Sequence, residues 1–431
     1  MTGLGSSQRG GFGPGKALAG LLLAVLTPSA AAMAAPQTPV TSIALPMALG
    51  DPALATGAIE VERRDLDLTG AFRVVDPASY PVAQVKEGLG FSTKPWSQLG
   101  AQLVAKLQVV RLGASLVLDG RLYQVGHGRA AVLTKHYQGP ELRALVHRWS
   151  NDVIGHVTGM RGVLGSRIAF AMMDRTPEIA TIGMDGLDLN VLTTMKSRCF
   201  LPAYSPTGEQ IAFNSYLSGG ADLWLVPDSG GRARLISHQD GLNTGAAWFP
   251  GGEFLVATLS FEGNAELYKL AASDGKVIAR LTHEPGIDSS ASISPGGDQI
   301  AFISDREGTP QVYLMPSSGG SARRLTNQGT FSQSPRFCPR KETPIIAFAT
   351  RDEPMVFDIF LYDLRTGKAD RVTQGHGSNF DPSWSPDCRH LVYASSREGL
   401  FVMNLQTRRE SQIYEGGAQN PSWGPMPAES P

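Results

Sequence analysis

Apolar and polar positions alternate in short bursts through the last two thirds of the chain. Apolar runs of about five residues stand between clusters of Pro, Gly, Ser and Asp, the pattern of antiparallel strands joined by tight turns. The strongest runs are Ile168-Ala169-Phe170, Ile211-Ala212-Phe213, Leu255-Val256-Ala257, Ile300-Ala301-Phe302, Ile346-Ala347-Phe348 and Leu391-Val392-Tyr393. The last five each follow a turn phrase opened by Pro206, Pro250, Pro295, Pro339 or Pro386, at spacings of 44, 45, 44 and 47 residues. In the second unit, Leu201–Ser205, Ile211–Ser215, Asp222–Val226 and Ala233–Ser237 read as four successive strands. Four short strands repeating every ~40–50 residues are the signature of a β-propeller, and counting second strands predicts six blades.

The first unit lacks an opening strand, because Val157 to Gly162 matches none of the others. A surplus copy stands at the far end, where Asn420-Pro421-Ser422-Trp423-Gly424-Pro425 repeats Asp381-Pro382-Ser383-Trp384-Ser385-Pro386. The expected ring is therefore closed by the C-terminal strand, which protects edges that would otherwise invite aggregation.

Residues 40–160 carry no repeat. Val40–Met47, Phe72–Val75, Leu103–Arg111, Ser115–Val125 and Ala130–His136 read as strands. Pro52–Leu68 and Pro140–Val157 show helical spacing, the latter placing Leu142, Leu145, Val146, Trp149, Val153 and Ile154 on one side. The expected fold class is mainly β: a small N-terminal α+β domain followed by a six-bladed β-propeller closed by the C-terminal strand. The expected boundaries are a signal peptide at 1–34, the α+β domain with a short N-terminal arm at 35–160, and the propeller at 161–431.

Composition narrows the function classes. The formal charge of −1 gives no basic field, which argues against nucleic-acid binding. The 49 glycines and 29 prolines suit many turns. Arg9 and Lys16 precede the apolar run Ala17–Leu26, and Ala32-Met33-Ala34 offers an A-x-A cleavage pattern before Ala35. That run is too short to span a bilayer, and no later segment is apolar enough, so the mature chain is expected to hold no integral membrane segment. The three cysteines, Cys199, Cys338 and Cys388, lie in different repeats without C-x-x-C spacing. They read as small buried or turn residues, at least one of them unpaired within the chain.

Two kinds of chemistry are worth naming. His238 and His283 follow successive fourth strands and His376 lies near the equivalent place in a later blade. Imidazoles converging on a propeller channel could hold a divalent metal, which leaves a metal-dependent lyase acting on acidic sugars as the alternative function. A propeller-bearing serine peptidase is excluded by the lack of G-x-S-x-G and of room for a hydrolase domain.

Pro382-Ser383-Trp384-Ser385-Pro386-Asp387 before an apolar strand is a motif of several propeller families. Ile43-Ala44-Leu45-Pro46, Phe72-Arg73-Val74-Val75-Asp76, the helix ending Val157-Thr158-Gly159 and the passage Gly162–Phe170 narrow the choice. Taken together, nearly the whole chain after the leader resembles the TolB family of the periplasmic Tol-Pal system. The resemblance implies an adaptor without catalysis or cofactor. Its propeller would bind the peptidoglycan-associated lipoprotein Pal, and its arm would bind TolA, an inner-membrane partner. The role would be outer-membrane integrity and constriction at division. The arm here, Ala35 to about Thr41, is short and Pro-rich. The resemblance places the Pal surface on the face formed by loops running from each fourth strand to the next first strand. The contact candidates there are Asn243, Thr244, Asp288, Ser289 and Asn379. These loops read as polar and Gly-rich.

Overall fold

The computed structural model describes residues 40–81, 87–327, 329–353, 356–375 and 377–427. The leader, most of the arm and His376 lie outside the described residues.

The N-terminal part is a mixed sheet covered by helices. Its strands are β1 (Thr41–Ala44), β2 (Leu49–Gly50), β3 (Phe72–Val74), β4 (Leu103–Leu112), β5 (Ser115–Gln124) and β6 (Leu133–Gly139). They run in the order β3-β1-β4-β5-β6, with β2 paired to β4. The β1 strand is parallel to both neighbours, whereas β4, β5 and β6 form an antiparallel meander. Helix α1 (Pro52–Thr69) starts at Asp51, whose carboxylate accepts from the amides of Ala53 and Leu54, and ends at Gly70 with φ 64°. A short helix α2 (Thr93–Gln98) buries Trp96 completely; the apolar spacing did not announce it. Helix α3 (Leu142–Thr158) buries the apolar stripe expected of it except Leu142, which is half-buried, with Trp149 lying over Gly120 of β5. A Cβ at Gly120 would sit 2.5 Å from that indole, so the sheet can approach the helix only without a side chain there. The β6 strand begins three residues later than expected, because the turn through Gly126 and Gly128 delays pairing until Leu133 meets Leu122.

Residues from Arg167 onward form six four-stranded antiparallel sheets. The first blade takes its inner strand from the chain's end: Ala418–Trp423 pairs with Arg167–Met172, from Ala418 opposite Met172 to Trp423 opposite Ile168, with a register shift between Gln419 and Ser422. The Trp423 indole donates to Ser166 Oγ at 2.9 Å, tying the closure strand to the segment that enters the ring. Every inner strand is bulged at its third residue. Leu201, Gly245, Ser290, Ser334, Asp381 and Asn420 all have φ between 50° and 69°. Five of the six are not glycine, so the bulge is held by its surroundings rather than by a permissive residue.

One apolar cluster runs without a break from α1, α3 and the N-terminal sheet into the first and sixth blades, through Ile168, Phe170, Val392, Leu400 and Trp423. Polar clamps seal the junction. Arg389 donates to Thr158 Oγ1 at 3.0 Å and to the carbonyls of Met160 and Arg161 at 3.3 and 3.0 Å. Asn404 donates to the Thr69 carbonyl at 2.6 Å, and Arg64 to that of Asp185 at 2.9 Å. Arg389 and Asp185 lie in turns between first and second or third and fourth strands, and Asn404 ends a third strand at the same edge. The N-terminal domain therefore sits on that face and leaves the opposite one uncovered.

Cys338 and Cys388 form a disulfide, Cα–Cα 5.7 Å, between the fifth and sixth blades. The expectation of small buried residues holds for burial, but two of the three thiols are joined. Their proximity arises from neighbouring blades whose equivalent turns lie about one repeat apart in sequence. Cys199 is free and buried, and burial pushes its thiol up to about 11.

Candidate functional site

The uncovered face carries an axial recess of about 640 Å³. Its wall comes from the bulged halves of the inner strands in the fourth, fifth, sixth and first blades. Ser289, Ser290, Ser334, Asp381 and Asn420 supply a polar floor. Asp381 organises that floor: it accepts from Ser334 Oγ at 2.6 Å and from the Asn420 amide and side chain at 3.2 and 2.8 Å. The lip is apolar, with Ile287, Phe331 and Phe380. Phe357 bridges the last two, with ring centroids 5.9 Å from Phe331 and 5.6 Å from Phe380. Farther round the same face, Tyr216, Leu217, Leu242 and Ile287 are 47, 51, 43 and 52 % exposed.

The structure separates the five contact candidates. Asn243, Asp288 and Asn379 open equivalent inner strands and are only 0, 0 and 1 % exposed. The Asn243 side chain accepts from Ser237 Oγ and the Gln239 amide at 2.7 and 2.8 Å and donates to the Gln239 carbonyl at 2.7 Å. Arg306 donates to both Asp288 oxygens at 3.1 and 2.9 Å. Burial nonetheless holds that carboxyl above its ordinary value against the pull of Ser304 and Arg306. Asn379 donates to Asp358 at 3.3 Å. These three lock the loops that shape the face. Thr244 is half-buried and donates to Asn214 at 3.2 Å. Of the five, Ser289 lines the recess.

The polar, Gly-rich reading of the loops missed the apolar lip. A signal was available: the residue before the first strand is Leu242, Ile287 and Phe331 in three successive repeats. Leu242 and Ile287 are exposed and Phe331 is half-buried, and such positions become a patch only when blades stand side by side.

The histidines do not form a cluster among the described residues. His238 is exposed, its Nδ1 2.9 Å from Asp222, and His283 is exposed in a loop. The one grouping of metal-type ligands among the described residues is Asp65, His147 and Asp185 at the domain junction. There Arg143 donates to His147 Nε2 at 2.9 Å and pairs with Asp185, so His147 directs its Nδ1 proton to Asp65 at 2.9 Å. Arg143 thus engages two of the three groups, making this an ion-pair network across the junction.

The fold and this face define a two-domain β-propeller protein with an apolar-lipped axial recess. A family model described as the TolB amino-terminal domain matches residues 34–131, and one described as the TolB beta propeller domain matches residues 154–427. The second spans more than half of the chain, and the chain belongs to the TolB family. A Tol-Pal system protein TolB from Anaeromyxobacter dehalogenans (strain 2CP-C) is 36 % identical over 284 residues, 62 % of this chain and 64 % of that protein. One from Desulfosudis oleivorans is 32 % identical over 222 residues, half of each chain. The matched spans thus cover about half to just under two thirds of these relatives. The crystal structure of TolB from Acinetobacter baumannii superposes with a TM-score of 0.79 at 24 % identity, covering 90 % of this chain and 98 % of that one, which shows a shared fold. The lyase alternative finds no support in these comparisons.

Proposed function

We propose that this chain is a non-catalytic periplasmic adaptor of the Tol-Pal system that docks the lipoprotein Pal on the uncovered propeller face. Through that contact it serves outer-membrane integrity and constriction at division, and its N-terminal arm engages TolA. The observation that carries this reading is the recess with its apolar lip, left open by the N-terminal domain in a chain of the TolB family. A polar floor with a few exposed aliphatic and aromatic anchors suits a protein partner, because buried anchors dominate interface energy while polar groups set register. Leu242, Ile287 and Phe331 supply such anchors, and Ser289 and Asp381 supply hydrogen bonds. No helix of the described residues is long and apolar enough to cross a membrane.

The test is calorimetric titration of the mature protein with the soluble domain of Pal. Ile287→Asp with Ser289→Arg should weaken binding about thirtyfold or more, the scale of a lost hot spot, with an unchanged melting temperature. Asn243 is unsuitable for this purpose, because replacing a fully buried loop lock would damage the fold. A folded double variant that binds Pal like the parent would move the site elsewhere.

A further inference from the structure

A second cavity lies on the propeller axis at the other end of the inner strands, where it is walled by all six of them and measures about 460 Å³. The fifth residues of these strands are Ala203, Ala247, Ser292, Arg336, Ser383 and Ser422. Five are small, which keeps the lumen open, and the sixth is an arginine. Arg336 is the one charged residue among those that wall the cavity.

Its partners do not neutralise it. Its side chain donates to the adjacent Pro335 carbonyl at 3.0 Å, and no carboxylate pairs with it among the described residues. A guanidinium has five N–H donors, so most remain unused. Asp381 is the acid that acts on it electrostatically, but that carboxylate is already held by Ser334 and Asn420 in the floor of the other recess. Burial accordingly lowers the Arg336 pKa from its ordinary value. Enclosed charges are normally paired, because an unpaired one forfeits hydration without recompense.

Two hydroxyls reinforce the same polarity. Ser292 Oγ accepts from the Phe337 amide at 3.0 Å, and Ser422 Oγ accepts from the Tyr204 amide at 3.1 Å. Each thereby commits a lone pair to the neighbouring blade and keeps its own proton to donate. Both line the cavity, along with the aromatic side chains Tyr204, Trp248, Phe337, Trp384 and Trp423. Fork-shaped donors in an apolar-walled site match a planar carboxylate with an apolar body better than a fully hydrated inorganic ion.

We propose that the axial cavity around Arg336 is a binding site for a small organic carboxylate, held by the guanidinium and the Ser292 and Ser422 hydroxyls. The site is separate from the recess assigned to Pal and does not rest on that assignment.

The experiment titrates the mature protein with benzoate, and in parallel with inorganic phosphate, at constant ionic strength, following heat and tryptophan emission. The parent should bind benzoate saturably, and the emission of the lining indoles should follow the same isotherm. Arg336→Gln should weaken binding by roughly tenfold or more, the scale of a charged hydrogen-bond pair. Arg336→Lys, which keeps the charge and loses the fork, should fall between. Ala203→Leu fills the lumen without touching the arginine and should abolish binding even if Arg336→Gln does not fold. Absence of saturable benzoate binding by the parent, parent-like binding by either folded Arg336→Gln or Ala203→Leu, or tighter binding of phosphate than of benzoate would each overturn the assignment.

Discussion

At the scale of single residues, one buried carboxyl of the first domain is strongly perturbed. Glu62 of α1 is completely buried, and its Oε1 accepts from the Trp149 indole at 2.7 Å. Burial raises its carboxyl from 4.5 to about 8, with Asp65 adding to the rise. A carboxyl whose folded pKa exceeds its unfolded one costs nothing below the unfolded value. Its cost grows as pH climbs through 4.5 toward 8 and then levels off. Glu62→Gln keeps an acceptor for Trp149 and removes the titration. Its stability relative to the parent should therefore improve by roughly 1–4 kcal/mol between pH 4.5 and 8. Denaturant melts at several pH values check this, and a difference that stays flat would show that Glu62 does not titrate in this range. The buried amide left at Oε2 adds a cost without pH dependence, so the slope is the diagnostic quantity. The helix containing Glu62 was legible from Leu54, Ile59 and Leu66. The burial of its acidic residues was not, because only the propeller turns laid against α1 and α3 decide which side of the helix loses water.

At the scale of elements, closure rests on one strand. Ala418–Trp423 pairs with Arg167–Met172, and its side chains reach both neighbours. The Trp423 amide donates to Ser383 Oγ at 2.9 Å, while Ser422 Oγ accepts from Tyr204 of the second blade. Ending the chain after Glu415 would expose the inner faces of three blades at once. Loss of a single cooperative melt, with a fall in midpoint of many degrees, is the expected result by calorimetry. The Cys338–Cys388 bond staples the fifth blade to the sixth across 50 residues. In the loop-entropy account a cross-link of that span contributes up to about 4 kcal/mol, so Cys338→Ser with Cys388→Ser should unfold at distinctly lower denaturant than the oxidised parent. Matching midpoints would mean that the blades hold each other without the bond. The closure strand was legible because it repeats a phrase found in the preceding blade. The disulfide was not, since similarity between repeats says nothing of which turns touch.

At the scale of the whole molecule, the two propeller faces have different work. One carries the N-terminal domain over the first and sixth blades through a shared core and the Arg389, Asn404 and Arg64 clamps; the other presents the recess. Arg389 joins the sixth blade to the end of α3 with three hydrogen bonds. Arg389→Ala should loosen the link at residues 159–166 and raise its rate of proteolytic cleavage several-fold. The continuous apolar core should limit the loss of global stability to about 1–3 kcal/mol. Limited proteolysis beside a denaturant melt separates the two effects, and an unchanged cleavage rate would show that apolar packing alone holds the junction.

By itself the sequence determined the blade count, the strand order within each blade, the terminal closure and the two long helices of the first domain. These follow from alternation, turn residues and repetition, all of which act between residues near in the chain or copied at a fixed period. Tertiary structure alone decided which face the N-terminal domain covers, that Asn243, Asp288 and Asn379 are sealed inside, and that Ile287, Phe331 and Phe380 meet at one lip. It also decided that Arg336 stands among five small residues without a carboxylate partner among the described residues. Those facts depend on closing a ring, which brings residues more than forty positions apart to a common axis and fixes which of them retain access to water.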